Sequence, residues 1–130
     1  MDSRRVRRVA FSLVAIVLGS PVFAQEHGPV VRMLVQSSPI AGYRYHSAAE
    51  VWGELKVGDA LELSREPENP HDPSAVSVSW RGRKLGYVPR RENAALARGL
   101  DRGTPLRARI SRLAEHVNPS RRIEFEVFIE

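Results

Sequence analysis

The sequence predicts a mainly β domain, folded as a small and mostly antiparallel barrel or curled sheet. About six short segments alternate apolar and polar residues with a period of two, as half-buried strands do. Glycine and proline mark turns between these segments, and a single segment has the length and pattern of a full helix. A chain of 130 residues is long enough for one hydrophobic core, and we expect no second domain.

The first half of the chain contains three predicted strands and one helical turn. Residues 30–36 are rich in Val, Leu and Met and form the first strand. Residues 43–46, Tyr-Arg-Tyr-His, alternate aromatic and polar side chains, which predicts a strand with one exposed polar side. Residues 48–52 fit a single helical turn ended by Gly53, and residues 60–64 alternate strictly, as a half-buried strand does.

A hairpin and a helix are predicted next. The strand 75–80 is followed by Arg-Gly-Arg and then by a second strand, 84–88, and so short a reversal is typical of a β-hairpin. Pro89 cannot join a sheet ladder but is tolerated at a helix start, so we predict a helix over residues 90–101. Gly103 stands just beyond it, where a left-handed glycine commonly ends a helix.

The last two strands show the plainest alternation in the sequence. Residues 106–112 place Leu, Ala and Ile on one face and Arg on the other, and residues 123–130 place Ile, Phe, Val and Ile on one face. Residues 118–120, Asn-Pro-Ser, lie in the connecting loop. This pair completes the predicted sheet.

The N-terminal segment, residues 1–24, is typical of an export signal. Four arginines precede an apolar run at residues 9–18, and Val-Phe-Ala before Gln25 fits a small-x-small cleavage site. The apolar run is shorter than the roughly 20 residues that span a bilayer. We therefore expect a cleaved, exported protein, periplasmic or secreted, with residues 25–29 as a flexible leader and residues 30–130 as the domain. The competing hypotheses are an uncleaved membrane anchor and a buried N-terminal strand.

Charge is unevenly distributed along the chain. The whole sequence carries +5, and removal of residues 1–24 leaves 16 basic and 14 acidic side chains, or +2. Residues 25–72 contain 4 basic and 8 acidic side chains, whereas residues 73–130 contain 12 and 6. A basic half can face a polyanion, but such asymmetry is also common on solvated surfaces, so it favours nucleic acid only slightly.

Enzymatic and metal chemistry have little support in the residues. The absence of cysteine excludes disulfides, thiolate metal sites and cysteine nucleophiles. No serine has a nucleophile-elbow setting, no glycine-rich phosphate loop is present, and no two of the 4 histidines have a short metal-ligand spacing. His71 and Asp72 are sequence neighbours, so on extended backbone their side chains face opposite ways and form no relay. We expect no enzyme activity and no cofactor, and a hydrolase using Asp72 with His71 is the weakest hypothesis.

Nucleic-acid binding has more residues in its favour. Such a surface needs cations for phosphates and flat side chains on which unpaired bases stack. Candidates occur near one predicted strand, at the junction of hairpin and helix, and at the hairpin tip: Arg44 and Tyr45, Tyr87 and Arg90, and Arg81, Arg83 and Lys84. The alternative is that the aromatics are core residues and that the tip cations keep a sheet edge soluble.

Residues 61–103 resemble the signature of the HIRAN domain family. That family's pattern is Arg-Glu-Pro-x-Asn-Pro-x-Asp-x-x-Ala, then a strand, a turn, Lys-x-Gly-Tyr-x-Pro and an Ala/Leu helix closed by Gly. Residues 65–72, REPENPHD, and residues 84–89, KLGYVP, match it in the same order, with Ala75 in place. Upstream, residues 42–45, GYRY, resemble the family's Gly-x-Arg-Tyr element.

The resemblance implies an OB-like, six-stranded antiparallel barrel with one to two short helices, which binds nucleic acid and is not an enzyme. In the eukaryotic fork-remodelling ATPases that carry such a domain, it holds the three-prime end of single-stranded DNA, and hydrolysis belongs to the ATPase domains. The motif positions imply a pocket of six residues: Arg44, Tyr45, His71, Asp72, Tyr87 and Arg90.

Each residue type in this implied pocket has a role. Aromatic rings would stack the last bases, and the arginines would contact phosphates. The carboxylate of Asp72 would accept a hydrogen bond from a free terminal hydroxyl and repel a terminal phosphate. The family position held by His71 is usually Tyr, and eukaryotic members have His where this chain has Tyr87.

Two functional hypotheses from different classes follow. The first is a non-enzymatic module that binds single-stranded DNA, with a preference for a free three-prime end. The second, suggested by the export signal, is an envelope interaction module that binds a protein or glycan partner. The sequence leaves the oligomeric state open.

Overall fold

The computed structural model describes Gly19 and residues 31–130. The expected export signal and leader lie outside the described residues, apart from Gly19, and stay predictions. The described elements are six strands and two α-helices: β1 Met33–Pro39, α1 Ala48–Val51, β2 Ala60–Arg65, β3 Val76–Trp80, β4 Arg83–Tyr87, α2 Ala94–Asp101, β5 Leu106–Leu113 and β6 Ile123–Ile129. No helix in this part of the chain is long and apolar enough to cross a membrane.

All six strands belong to one antiparallel sheet in the order β1-β6-β5-β2-β3-β4. Beyond the end of β1, Ala41 exchanges two backbone hydrogen bonds of 2.9 Å with Tyr87 at the end of β4. Because β1 and β4 stand at opposite ends of the strand order, this bridge draws the two ends of the sheet toward each other. The predicted OB-like, six-stranded fold with two short helices is confirmed.

The core fills the inside of the curled sheet because the strands keep their period of two. Ile123, Phe125 and Val127 on β6 have no exposed surface. On β5, Ile110 stands opposite Phe125 and Ala108 opposite Val127, and both are buried. Burial of each large apolar side chain contributes about 1.5–3 kcal/mol to folding. The two strands with the plainest sequence pattern therefore form the centre of the core, as expected.

The segment 43–46 is not a strand, contrary to the sequence prediction. Gly42 adopts a left-handed conformation with φ 75°, and the chain then forms a 3-10 helix, Tyr43–Tyr45, in which the Tyr45 N–H donates to the Gly42 carbonyl at 3.0 Å. In a strand, Tyr43 and Tyr45 would share a face. In the helical turn they diverge, so Tyr43 is 4% exposed and Tyr45 is 80% exposed.

The helical segments differ from the prediction at the start of the second helix and at the end of the first. The α-helix of the second half begins at Ala94, because residues after Pro89 first form a separate 3-10 turn, Arg90–Glu92. Its end is as predicted: Gly103 has φ 76° and its N–H donates to the Leu100 carbonyl at 3.0 Å. Gly53 does not end the first helical turn, since α1 continues into a 3-10 turn, Trp52–Glu54.

Candidate functional site

A groove of about 610 Å3 opens beside the bridge that joins the two ends of the sheet. Three segments form it: the segment 41–46 after β1, the loop between β2 and β3, and the segment from the end of β4 to Asn93, just before α2. Its lining comprises Ala41, Tyr45, His46, Asn69, His71, Asp72, Ala75, Tyr87, Val88, Arg90 and Asn93. Five of the six residues expected in a pocket are therefore together, since Tyr45, His71, Asp72, Tyr87 and Arg90 all line this groove.

The loop 66–75 is ordered by a series of tight turns. Backbone N–H groups of Asn69, Asp72 and Ala75 each donate to the carbonyl three residues earlier, at 3.0, 3.3 and 3.1 Å. Glu66 closes the loop by donating to the Ala75 carbonyl at 3.0 Å. The three prolines of this stretch reduce the conformations of the unfolded chain, so ordering the loop costs less entropy.

Arg65 fastens the same loop to the domain. Its guanidinium donates to the carbonyls of Ala75 and Pro73 at 2.8 and 2.9 Å, and to the carboxylate of Asp101 on α2 at 3.0 Å. A planar guanidinium can hold several acceptors in one fixed arrangement, which an ammonium cannot. The Arg that opens the Arg-Glu-Pro motif is thus a positioning residue for the groove wall.

Asp72 is held at the wall of the groove as a carboxylate. Its Oδ1 accepts from the backbone N–H of Ser74 at 2.9 Å, and its Oδ2 accepts from the side-chain amide of Asn93 at 2.7 Å. The Ser74 bond, then the Asn93 bond, and the nearby Arg90 charge hold the pKa of Asp72 below its usual value. Asn93, which sequence reasoning did not select, is 3% exposed and ties the loop to the start of α2.

His71 and Asp72 have separate hydrogen-bond partners. Asp72 is already bonded to Ser74 and Asn93, and among the described residues no hydrogen bond joins it to His71. The His71 backbone N–H donates to the Asn69 side chain at 2.9 Å, and its imidazole is exposed at the groove. The backbone here is turned and not extended, so the extended geometry expected for these two residues from the sequence is wrong.

Tyr87 lies half-buried at the floor of the groove, with its hydroxyl bonded away from solvent. The hydroxyl donates to Glu66 Oε1 at 2.8 Å, and Lys84 Nζ donates to Glu66 Oε2 at 2.7 Å and to the tyrosine oxygen at 3.1 Å. Burial opposes ionisation of Glu66, but the bonds from Lys84, Tyr87 and Asn69 outweigh it and lower its pKa. The bond to Glu66 raises the pKa of Lys84.

The cations at the hairpin tip are engaged within the chain. Lys84 is bonded to Glu66, Arg83 pairs with Glu50, and Arg81 lies over the Trp80 ring at 4.6 Å. Lys84 is therefore part of the groove's support and not a free tip cation, which corrects its assignment from sequence. The partner of Lys84 lies 18 residues away, so local sequence did not indicate it.

Gly86 explains how Tyr87 comes to lie against the segment after β1. A Cβ atom at this position would be 2.2 Å from the Ala41 carbonyl oxygen and 2.6 Å from a methyl of Ile40. Only glycine leaves room for the Ala41 backbone to pair with Tyr87. The pairing also places His46 edge-on to Tyr87, with ring centroids 5.3 Å apart.

His46 is a groove residue that sequence reasoning missed. It is partly buried, and its burial, followed by the charge of Lys84, lowers its pKa below 6.5. The ring is therefore neutral at pH 7 and offers a flat surface beside Tyr87. Its position directly after the Gly-Tyr-Arg-Tyr element was the one available sequence signal.

Tyr45, Arg90 and Arg44 project from the surface. Tyr45 and Arg90 line the groove and are exposed, and within residues 31–130 neither side chain makes a hydrogen bond or an ion pair. Arg44 is exposed too, but it does not line the groove; it faces an adjoining depression with Asn118 and Ser120. The six-residue pocket expected from the motifs is thus divided, with Arg44 apart from the other five.

The groove combines an apolar floor with polar groups at its edges. Ala41, Ala75 and Val88 supply apolar surface, and Tyr45 and Tyr87 supply rings. Arg90 supplies a cation and Asp72 an acceptor already fixed in position. Within the described residues no cluster of His, Asp and Glu could hold a metal ion. Rings, one cation and one fixed acceptor are groups that recognise a ligand with flat and anionic parts.

Comparison with protein-family models gives a match to the HIRAN domain over residues 33–130. The chain belongs to the HIRAN domain family. The match extends from the first strand to the last residue, so it includes every element of the sheet and every residue of the groove. Membership identifies a binding domain and implies recognition of single-stranded nucleic acid.

Relatives and solved structures agree with this family. A Fanconi-associated nuclease 1 homolog from Oryza sativa subsp. japonica is 37% identical over 73 residues, and this HIRAN domain chain spans 7% of that protein's length. A crystal structure of a protein from Lactobacillus plantarum superposes with a TM-score of 0.65 and 27% identity, covering 75% of this chain and 94% of the other. The HIRAN domain of human HLTF superposes with a TM-score of 0.55, covering 75% and 78%; at 19% identity it supports the fold alone.

Proposed function

We propose that this HIRAN domain binds single-stranded DNA in the groove and prefers a free three-prime end. The observation that carries the proposal is the convergence of Tyr45, His71, Asp72, Tyr87 and Arg90 on one groove. They come from three separate parts of the chain, and Tyr45, His71 and Arg90 are exposed. Family membership supports the ligand class.

The rings supply stacking surfaces for unpaired bases. Tyr45 can stack on either side because it is 80% exposed. Tyr87 offers one face, since its hydroxyl is tied to Glu66 and its edge meets His46. Stacking of a base on an aromatic side chain is worth about 1–3 kcal/mol and tolerates any base. The groove therefore holds a strand without selecting its sequence.

Arg90 and Asp72 supply the polar contacts. The free guanidinium of Arg90 binds a backbone phosphate. Each carboxylate oxygen of Asp72 has one bond within the chain, and each retains a lone pair for a terminal hydroxyl. Because Asp72 is an anion at neutral pH, it repels a terminal phosphate, and the preference for a free end follows from that charge.

The proposed binding involves no chemical step. The Asp72 carboxylate serves as a hydrogen-bond acceptor, and the His71 imidazole lies beside the ligand without transferring a proton.

Fluorescence anisotropy tests the proposal. The full chain is titrated with a labelled ten-nucleotide thymidylate that ends in a three-prime hydroxyl, and with the same strand ending in a phosphate. We expect tighter binding of the hydroxyl end, and binding of both ends to weaken as salt rises. Failure to bind either strand at low salt would overturn the proposal, and equal binding of both would remove the end preference.

Two variants assign the contacts. Asp72→Asn is expected to abolish the difference between the two ends, because the charge that repels phosphate is gone while Asn93 can turn its amide to keep the bond. Arg90→Ala is expected to weaken binding of both ends and to lower the salt slope by about 0.7. Arg91→Ala is the matched control, since Arg91 is the next residue in the chain, is exposed and does not line the groove.

We propose separately, from the sequence pattern alone, that residues 1–24 direct export. The test is to fuse residues 1–25 to a reporter that is active only outside the cytoplasm. We expect activity in the wild-type fusion and loss of it when the apolar run 9–18 is interrupted by two aspartates. An inactive wild-type fusion would refute export.

A further inference from the structure

A second depression, of about 480 Å3, lies on the other side of the 3-10 helix Tyr43–Tyr45. It is lined by Tyr43, Trp52, Glu115, His116, Val117 and Arg122. The rings of Tyr43 and Trp52 meet edge to face with centroids 6.2 Å apart, and the Arg122 guanidinium lies 5.1 Å from the Tyr43 ring centre. None of these residues has a role in the proposed groove.

A smaller hollow separates this depression from the groove and adjoins both. The hollow has a volume of about 160 Å3, and its lining includes Arg44, Asn118 and Ser120. It shares Tyr45 with the groove and Tyr43 with the second depression. The hollow and the second depression together form one surface track that leads from the groove along the 3-10 helix, because Tyr43 and Tyr45 diverge to its two sides.

Trp52 gives the far end of the track a flat and accessible surface. Its indole is half-buried and nearly perpendicular to the Tyr43 ring, and within the described residues its N–H donates to no protein acceptor. The other tryptophan, Trp80, is 4% exposed and donates to Asp59 at 3.0 Å. Trp80 is thus satisfied as a core residue, whereas Trp52 keeps a ring face and a donor for a ligand.

Charge along the track favours a polyanion. The cations in its lining are Arg44 and Arg122, and the carboxylate in its lining is that of Glu115. Arg44 is exposed, and the short helix Pro119–Arg121 packs against the helix that carries it. Arg122 uses its Nε–H on the His116 carbonyl at 2.7 Å, which fixes the guanidinium and leaves its other N–H groups available.

We infer that this track binds the nucleotides adjoining those held in the groove, with Trp52 stacking a base and Arg44 and Arg122 contacting phosphates. The inference rests on the proposed function and extends it from an end-binding groove to a longer binding site. OB-type folds bind about 4–16 nucleotides, more than an end-binding groove alone holds. The motifs place Arg44 with the groove residues. In this inference Arg44 contacts a phosphate between the groove and Trp52.

Length-dependent binding tests the track. The full chain, Trp52→Leu and Arg44→Ala are titrated with thymidylates of three and ten nucleotides, both with a free three-prime hydroxyl. We expect the ten-nucleotide strand to bind wild type at least about fivefold more tightly and to quench the fluorescence of Trp52. In Trp52→Leu and Arg44→Ala that gain shrinks, while the affinity for three nucleotides is unchanged. Val57→Ala is the control, since Val57 is exposed and lines none of the three depressions.

The outcomes separate the two proposals. If the three-nucleotide strand binds and neither variant alters the length gain, the track is refuted and the groove stands. If neither strand binds wild type, the proposed function and the track fail together. In Trp52→Leu, the leucine keeps an apolar contact with Tyr43. Arg44→Ala changes an exposed side chain that is not packed in the core. If Trp52→Leu fails to fold, Arg44→Ala therefore still tests the track.

Discussion

Gly86→Ala should be the most damaging small substitution near the groove. The added Cβ would stand 2.2 Å from the Ala41 oxygen, and contacts under 3.0 Å essentially never occur, so the two backbones must separate by about 1 Å. The two hydrogen bonds between Ala41 and Tyr87, now 2.9 Å, would then exceed the range of a hydrogen bond. Two lost bonds at about 0.5–1.5 kcal/mol each, with an overpacking cost of about 1–3 kcal/mol, predict a loss of about 2–6 kcal/mol.

Urea denaturation measures this loss. The midpoint should fall with little change in slope, and base binding in the groove should weaken because Tyr87 and His46 are displaced together. Gly53→Ala is the matched control: nothing lies within 4 Å of its Cβ position, so its stability should stay within about 1 kcal/mol of wild type. If Gly86→Ala were as stable as Gly53→Ala, the close approach of Ala41 would not be what requires glycine there.

Three further predictions concern the groove walls. Glu66 has a lowered pKa in the folded state, so the stability it contributes is present above its ordinary pKa of 4.5 and is lost as pH falls through the folded value. Glu66→Gln should therefore lower the free energy of unfolding by about 1 kcal/mol at pH 7, because Lys84 loses its charged partner. Between pH 5 and 3, the melting temperature of the variant should fall less than that of wild type. An equal fall in both proteins would contradict this. Arg65→Lys should lose about 1–2 kcal/mol, since an ammonium cannot keep all three bonds of the guanidinium, and protease cleavage within the loop 66–75 should accelerate; an unchanged cleavage rate would argue against the fastening role. His71→Tyr restores the residue usual in the family and a larger stacking ring, so single-strand affinity should rise by a few-fold in anisotropy titrations, whereas weaker binding would show that the imidazole itself contacts the ligand.

Elements with a local pattern were predicted correctly. The alternation in β5 and β6 follows from the two-residue period of a strand. The Arg-Gly turn of the hairpin and the glycine beyond α2 follow from the conformations open to glycine. These are properties of neighbouring residues, so the sequence contains them.

Residues 43–46 show where local pattern fails. Their alternation fits a strand, but Gly42 turns the chain and Ala41 pairs across the fold with Tyr87, so a 3-10 helix forms and separates the two tyrosines. Arg44 consequently lies outside the groove in which the motif placed it.

The sequence by itself determined the mainly β class, the family and five of the eleven residues that line the groove. The tertiary structure decided which of them meet and what holds them. Asp72 depends on Asn93, 21 residues away, and Tyr87 depends on Glu66 at the same separation. Strand period and turn chemistry act between neighbours, whereas a binding groove consists of contacts that exist only after distant segments have packed together.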